Sequence, residues 1–151
     1  MAKTSPIANL VPLEMPPTRA LFEGVADAWI LSLSALDRPP RGLAGVFDWH
    51  LQGWISRSIQ NGIFSGDEGE CAYLPTRHQG RTLHLLLAGR GSTISSQRLS
   101  PMTLKALQKN LISLGRNSWG ASTQDLGEDN IHRIAQWLGQ SFAEARVWTS
   151  T

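Results

Sequence analysis

Two short apolar runs, "AWILSLSAL" (28–36) and "TLHLLLAG" (82–89), set the tightest limit on what this chain can fold into. Each is dense in aliphatic residues and bounded by turn formers, as expected of strands buried on both faces. A sheet built from such strands needs cover above and below. A third strand is expected at "GECAYLP" (69–75), stopped by its proline, with weaker candidates at "PIANLVPL" (6–13) and "SWGASTQ" (118–124), where glycine loosens the pattern. The reading is a mixed sheet of five or six strands.

Three helical segments are signalled between the strands. In 47–60, the residues Phe47, Leu51, Trp54, Ile55 and Ile59 share one face, and Asn61-Gly62 supplies the left-handed residue that ends a helix. Ser100 and Pro101 read as an N-cap and a first-turn proline, followed by the stripe Leu104, Leu107, Leu111 and Leu114 and a stop at Gly115. Near Glu128 a last helix begins, where Asp125, Glu128 and Asp129 suit the positive helix end, and it continues through Ile131, Ile134, Ala135, Leu138 and Phe142. Alternating strands and helices mean a layered α/β domain, and 151 residues fit a single one spanning 1–151.

Composition narrows the class. With 41% hydrophobic and 17% charged residues, the chain is neither a charged disordered tail nor a membrane protein, and no apolar stretch approaches the roughly 20 residues that a span needs. The run "IANLVPLEMPP" is too short and too broken by proline for a signal segment. Cys71 is the single cysteine, so there is neither an internal disulfide nor a thiol cluster for zinc. A cytoplasmic protein without a membrane partner is expected.

The net charge of +2 conceals an uneven distribution. From 71 to 124 there is no acidic residue, and Arg77, Arg81, Arg90, Arg98, Lys105, Lys109 and Arg116 give the span +7, against −5 for the remainder. Such asymmetry marks either a nucleic-acid surface or charges that scatter over the fold. Arg77, Arg81 and Arg90, which flank strand ends, are the candidate nucleic-acid contacts.

The order of short motifs resembles the N-terminal domain of the leucyl (cytosol) aminopeptidase family. The motifs are "DWHLQGWISRSIQNG" (48–62), with an aspartate opening a helix; the turn "FSGDEGE" (64–70); the strand and Gly-x-Gly turn "LLLAGRG" (85–91); the helix start "LSPMTLKALQKNL" (99–111); and the closing "IAQWLGQSFAEARVW" (134–148). Arg90 departs from the family, which usually has an apolar residue between those two glycines. The resemblance implies a three-layer α/β fold similar to macro domains, which bind ADP-ribose and related nucleotides. It directs attention to "RGLAGVFDWH" (41–50), a glycine-containing loop leading into a helix N-terminus. A macro domain would carry a longer glycine run there, and Asp48 near the helix start would repel an anion, so a simple connection is expected.

Catalysis in that family belongs to a second domain, where an Asn-Thr-Asp-Ala-Glu-Gly-Arg-like motif holds two divalent metals; no such motif occurs in this chain. Asp67, Glu68 and Glu70 sit in a turn and read as solvated charge. The four histidines, His50, His78, His84 and His132, form no ligand pair, Cys71 falls within a strand, and there is neither a G-x-S-x-G elbow nor a Walker A loop. No enzymatic activity, metal or cofactor is expected.

The resemblance therefore implies a non-catalytic relative of the aminopeptidase N-terminal domain. Its expected role is a protein-interaction or regulatory module that associates with itself or with a full-length aminopeptidase. Trp137 and Trp148, off the core stripe of the closing helix, are the candidate interface anchors. The alternatives are nucleic-acid binding through the basic span, a macro-like small-molecule pocket, and a piece of a complete metallo-aminopeptidase.

Overall fold

The computed structural model describes residues 9–92 and 99–150. Part of the strand expected at 6–13 and Arg98 of the basic span lie outside them. The described residues form one six-stranded sheet in the order β1-β6-β5-β2-β4-β3, where β1 is Leu10–Pro12, β2 Ala28–Leu33, β3 Cys71–His78, β4 Arg81–Gly89, β5 Ser118–Ser122 and β6 Arg146–Ser150. Only the β3–β4 hairpin is antiparallel; every other pair is parallel. The sheet is mixed, as expected.

The two apolar runs occupy the middle of it. All six residues of β2 are buried, and they alternate between faces. Ala28 and Ile30 join Leu86, Ala88, Trp119 and Val147 under α4 (Pro101–Leu114) and α6 (Glu128–Ser141), packing against Leu107, Leu111, Ile134 and Leu138. Trp29, Leu31 and Leu33 join Leu85 and Leu87 on the opposite face under α1 (Pro17–Glu23), α2 (Gly42–His50) and α3 (Trp54–Gln60), packing against Leu21, Phe47 and Ile55. The result is three layers, helices on both faces of a largely parallel sheet. A short α5 (Thr123–Leu126) follows β5 directly.

The caps of α4 are as the sequence predicts: the Ser100 side chain accepts from the Thr103 N–H, Pro101 opens the first turn, and Gly115 closes the helix in the left-handed conformation. Three expectations need correction. Pro75 does not stop β3, which runs on to His78; the strand lies at the sheet edge, where a missing N–H removes no interior ladder bond. The segment 47–60 is not one helix. It is α2, which starts earlier at Gly42, then a break at 51–53 with Gln52 at φ 59° and Gly53 at φ 81°, then α3. Asp48 causes the break rather than opening a helix: its Oδ1 accepts from the N–H groups of Ile55 (2.8 Å) and Ser56 (3.0 Å), capping α3 from seven residues upstream. The apolar stripe survives because Phe47, Leu51 and Ile55 remain buried on the same side. Helix α1 was not anticipated.

The two halves of the sheet meet at β2 and β5, whose register rests on the pair Trp29 and Gly120. The Trp29 indole lies flat across this glycine: a Cβ built at position 120 would stand 2.6 Å from the ring, inside any real contact. Gly120→Ala must push a fully buried tryptophan aside, so it should destabilise the fold by about 3 kcal/mol, read as a lower urea midpoint at unchanged slope. A variant as stable as the parent would show that the seam does not depend on this contact.

A candidate ligand site at the sheet switch point

Strands β2 and β5 are neighbours whose onward connections leave in opposite directions, from β2 toward the β3–β4 side and from β5 toward β6. In an open parallel sheet this arrangement leaves a crevice outside the carboxyl ends of the two strands. A cavity of about 610 Å³ lies there, lined by Asp37, Arg41, Gly42, Leu43, Val46, Arg90, Gln124 and Asp125 among others. The segment 41–50 is therefore more than a connection. Its helix α2 starts at the cavity, with Arg41 as N-cap and no side chain capping it, so the first-turn N–H groups keep their donor capacity. Asp48 lies at the far end of that helix and does not oppose an anion at its start.

The floor of the crevice is a buried polar network. Asp125, in α5, accepts from the Ser32 N–H at Oδ2 (2.9 Å) and from the Ser32 hydroxyl at Oδ1 (3.1 Å). Arg90, directly after β4, donates from Nη1 to Ser32 Oγ (2.6 Å) and stands 3.9 Å from Asp125 Oδ1 and 3.5 Å from Asp37 Oδ2. The Arg90 side chain is 7% exposed and that of Asp125 is 4% exposed. Burial pushes the Asp125 carboxyl up to about 6, against the opposing pull of the Ser32 bonds and Arg90. In the sequence Asp125 has the pattern of a helix-end charge, whereas its partner in the fold is 93 residues away.

The other singled-out residues are dispersed. Arg77 and Arg81 sit at the β3–β4 hairpin, bonded to the carbonyls of Gly80 (3.1 Å) and Phe22 (3.2 Å). Arg90 is at the other end of β4, about 30 Å away at roughly 3.3 Å per residue, and is buried. Arg116 pairs with Asp27 (2.8 Å), and Lys105 and Lys109 are exposed on α4. The basic span thus does not form one surface around the three proposed contacts. Trp137 is half-buried against the α4–α6 side of the core, whereas Trp148 packs on the opposite face and donates to Ser118 Oγ (3.2 Å). The sheet separates them.

In the turn 64–70 the acids do not behave alike. Asp67 and Glu68 are exposed, but Glu70 turns inward and accepts from the Ser65 N–H (3.0 Å), the Ser65 hydroxyl (2.8 Å) and the Gly66 N–H (2.9 Å). It is a structural cap, not solvated charge. Gly89 lets this turn press on the end of β4: a Cβ there would stand 2.1 Å from the Asp67 carbonyl oxygen. Burial pushes the Cys71 thiol up to about 12, which disfavours the nucleophilic thiolate. Among the described residues no group of three or more His, Cys, Asp or Glu side chains is placed to hold a metal ion, and no helix is long and apolar enough to cross a membrane.

Neither a family model nor a curated protein matches the sequence. Solved structures do match the fold. The macrodomain of Mycobacterium tuberculosis DarG superposes with a TM-score of 0.67 at 13% identity, over 93% of this chain and 96% of that one. The macrodomain of Thermus aquaticus DarG gives 0.63 at 14% identity, over 94% and 97%. A mutant of tomato leucine aminopeptidase gives 0.56 at 14% identity; 99% of this chain is covered, but only 33% of that chain. The fold is macrodomain-like.

The raised carboxyl has a consequence for stability. Between its ordinary 3.8 and about 6, the folded chain holds the Asp125 proton where the unfolded chain has released it. This group therefore favours folding most at acid pH, and that contribution is lost as pH rises through about 6. Asp125→Asn, which mimics the protonated form, should gain up to about 3 kcal/mol at pH 7.5 and nothing at pH 4, measured by urea unfolding at both. A greater destabilisation at pH 7.5 than at pH 4 would show that the ionised carboxylate is the favoured form.

Proposed function

We propose that this chain is a non-catalytic binding module that takes a small nucleotide-like molecule in the crevice at the carboxyl ends of β2, β4 and β5. The observation that carries this reading is the 610 Å³ cavity at the switch point with Arg90, Asp125 and an uncapped helix start on its walls. A macrodomain-like fold supports it, since macro domains bind ADP-ribose and related nucleotides, and so does the general preference of ligands for this position in parallel sheets. The non-catalytic part rests on the sequence, which lacks the aminopeptidase metal-ligand motif.

A protein partner is the second reading, whether a second copy of the chain or an aminopeptidase. The feature that favours it is Trp49 on α2, 81% exposed, with Val46 beside it at 40%. The separated pair Trp137 and Trp148 gives it less support.

Two-dimensional NMR with ADP-ribose, AMP, ADP and uridine diphosphate decides between the two. Ligand binding should shift the amides of Gly42, Val46, Arg90 and Gln124, and Val46→Trp, which fills the cavity from its rim, should weaken the binding at least about tenfold, or 1.4 kcal/mol. No shift at millimolar concentrations of any of the four would overturn the ligand reading. Concentration-dependent broadening centred on Trp49 without added ligand would favour the protein partner.

A further inference from the structure

Arg90 is a buried cation that its neighbours satisfy poorly. A guanidinium carries five N–H donors and pairs with carboxylates at about 2.8 Å when the pairing is good. Here one donor makes a short bond, to Ser32 Oγ (2.6 Å), while the two carboxylates stand off at 3.5 and 3.9 Å and Nε has no partner among the described residues. The residue lines the cavity with its side chain 7% exposed, so a guanidinium short of partners is held at the wall of that space.

Among the described residues, the charged groups lining that space are Asp37 from the loop after β2, Arg41 from the start of α2, Arg90 from the end of β4 and Asp125 from α5; no histidine lines it. Two cations balance two anions. An entering oxyanion leaves at least one negative charge in excess, in a place where burial strengthens every interaction. The guanidinium has no proton to give up or gain, and Arg41 and Asp37 have exposed routes to solvent, with side-chain exposures of 82% and 16%. The sealed group is Asp125, at 4%.

We propose that Arg90 is the anion receptor of this crevice and that the incoming oxyanion replaces Asp125 as its partner, so that one proton is taken up onto the Asp125 carboxyl as the ligand binds. The inference rests on the reading of the crevice as the ligand site and specifies the ligand class: a small molecule that presents a phosphate-, sulfate- or carboxylate-type oxyanion to the cavity floor. The proton comes from solvent and rests on Asp125 Oδ1, the oxygen nearest Arg90; Oδ2 continues to accept from the Ser32 N–H. The elevated carboxyl described above makes that uptake inexpensive below neutral pH. Arg41 and the first-turn N–H groups of α2, on the same cavity wall, supply further donors.

Sulfate is a suitable probe because it stays a dianion throughout the pH range of interest. Titrated into the protein at pH 7.5 and pH 5.0 and followed by two-dimensional NMR, it should shift Ser32, Gly42 and Arg90 and bind about tenfold more tightly at the lower pH. Asp125→Asn should bind at pH 7.5 as tightly as the parent does at pH 5.0, with the pH dependence gone; Arg90→Gln should lose the binding. For the parent alone, calorimetry at pH 7 in two buffers of different ionisation heat should find up to one proton taken up per sulfate, a readout that needs no variant. Affinity that does not change with pH, a pH dependence retained in Asp125→Asn, or no proton uptake would each overturn the proposal. If nucleotides bind at the crevice while sulfate shows none of this coupling, the ligand reading stands and the proton linkage falls. If neither sulfate nor nucleotides touch the crevice, both fall together.

Discussion

The bonds between the Asp125 carboxylate and Ser32 fix the geometry of the site. Strands β2 and β5 share a register pair at Trp29 and Gly120, and closer to their carboxyl ends the Ser32 N–H is taken by a side chain from α5 instead of a strand carbonyl. The carboxylate stands in for backbone that is no longer there. A buried carboxylate is costly unless its oxygens are bonded, and both oxygens of Asp125 are. The sheet can therefore part at its carboxyl end without leaving unpaired backbone, and the parting makes room for the cavity.

The position of Arg90 follows from that opening. It leaves β4 immediately beside Ser32 and is faced by Asp37, from the loop after β2, and by Asp125, from α5. The turn 64–70 lies against the same end of β4, held by Glu70 and pressed against Gly89. A carboxylate-capped turn, a charged floor and an uncapped helix start thus converge on one end of the sheet. The opposite end is occupied by the β3–β4 hairpin with Arg77 and Arg81.

What was legible in the sequence was local. The runs at 28–36 and 82–89 predicted double-sided burial because apolar density needs no partner to be read, and Ser100, Pro101 and Gly115 marked the ends of α4 because caps act within one turn. The macrodomain-like architecture followed from an ordered series of such marks. The break at 51–53 was hidden because an aspartate that opens a helix and one that caps the next helix look the same in sequence. Asp125 was hidden for a similar reason: beside Glu128 and Asp129 it has the appearance of a charge at a helix start, and only the pairing of β2 with β5 brings Ser32 to it. Arg90, between two glycines, gave no sign of burial, since the residues that face it, Asp37 and Asp125, are distant in sequence.

The outermost parallel pair has a consequence for how the molecule comes into being. Leu10 lies beside Val147, and Pro12 beside Thr149, so among the described strands the first to be synthesised waits for the last before it can join the sheet. The β2–β4–β3 half, with α2 and α3 against it, draws on residues 28–89 alone and can condense while synthesis continues. Until β6 arrives, β5 presents an open edge to the cell, and β1 adds three residues of pairing that arrive only at the end. The order of synthesis thus leaves the half that completes the crevice, with Asp125, as the last part to be assembled.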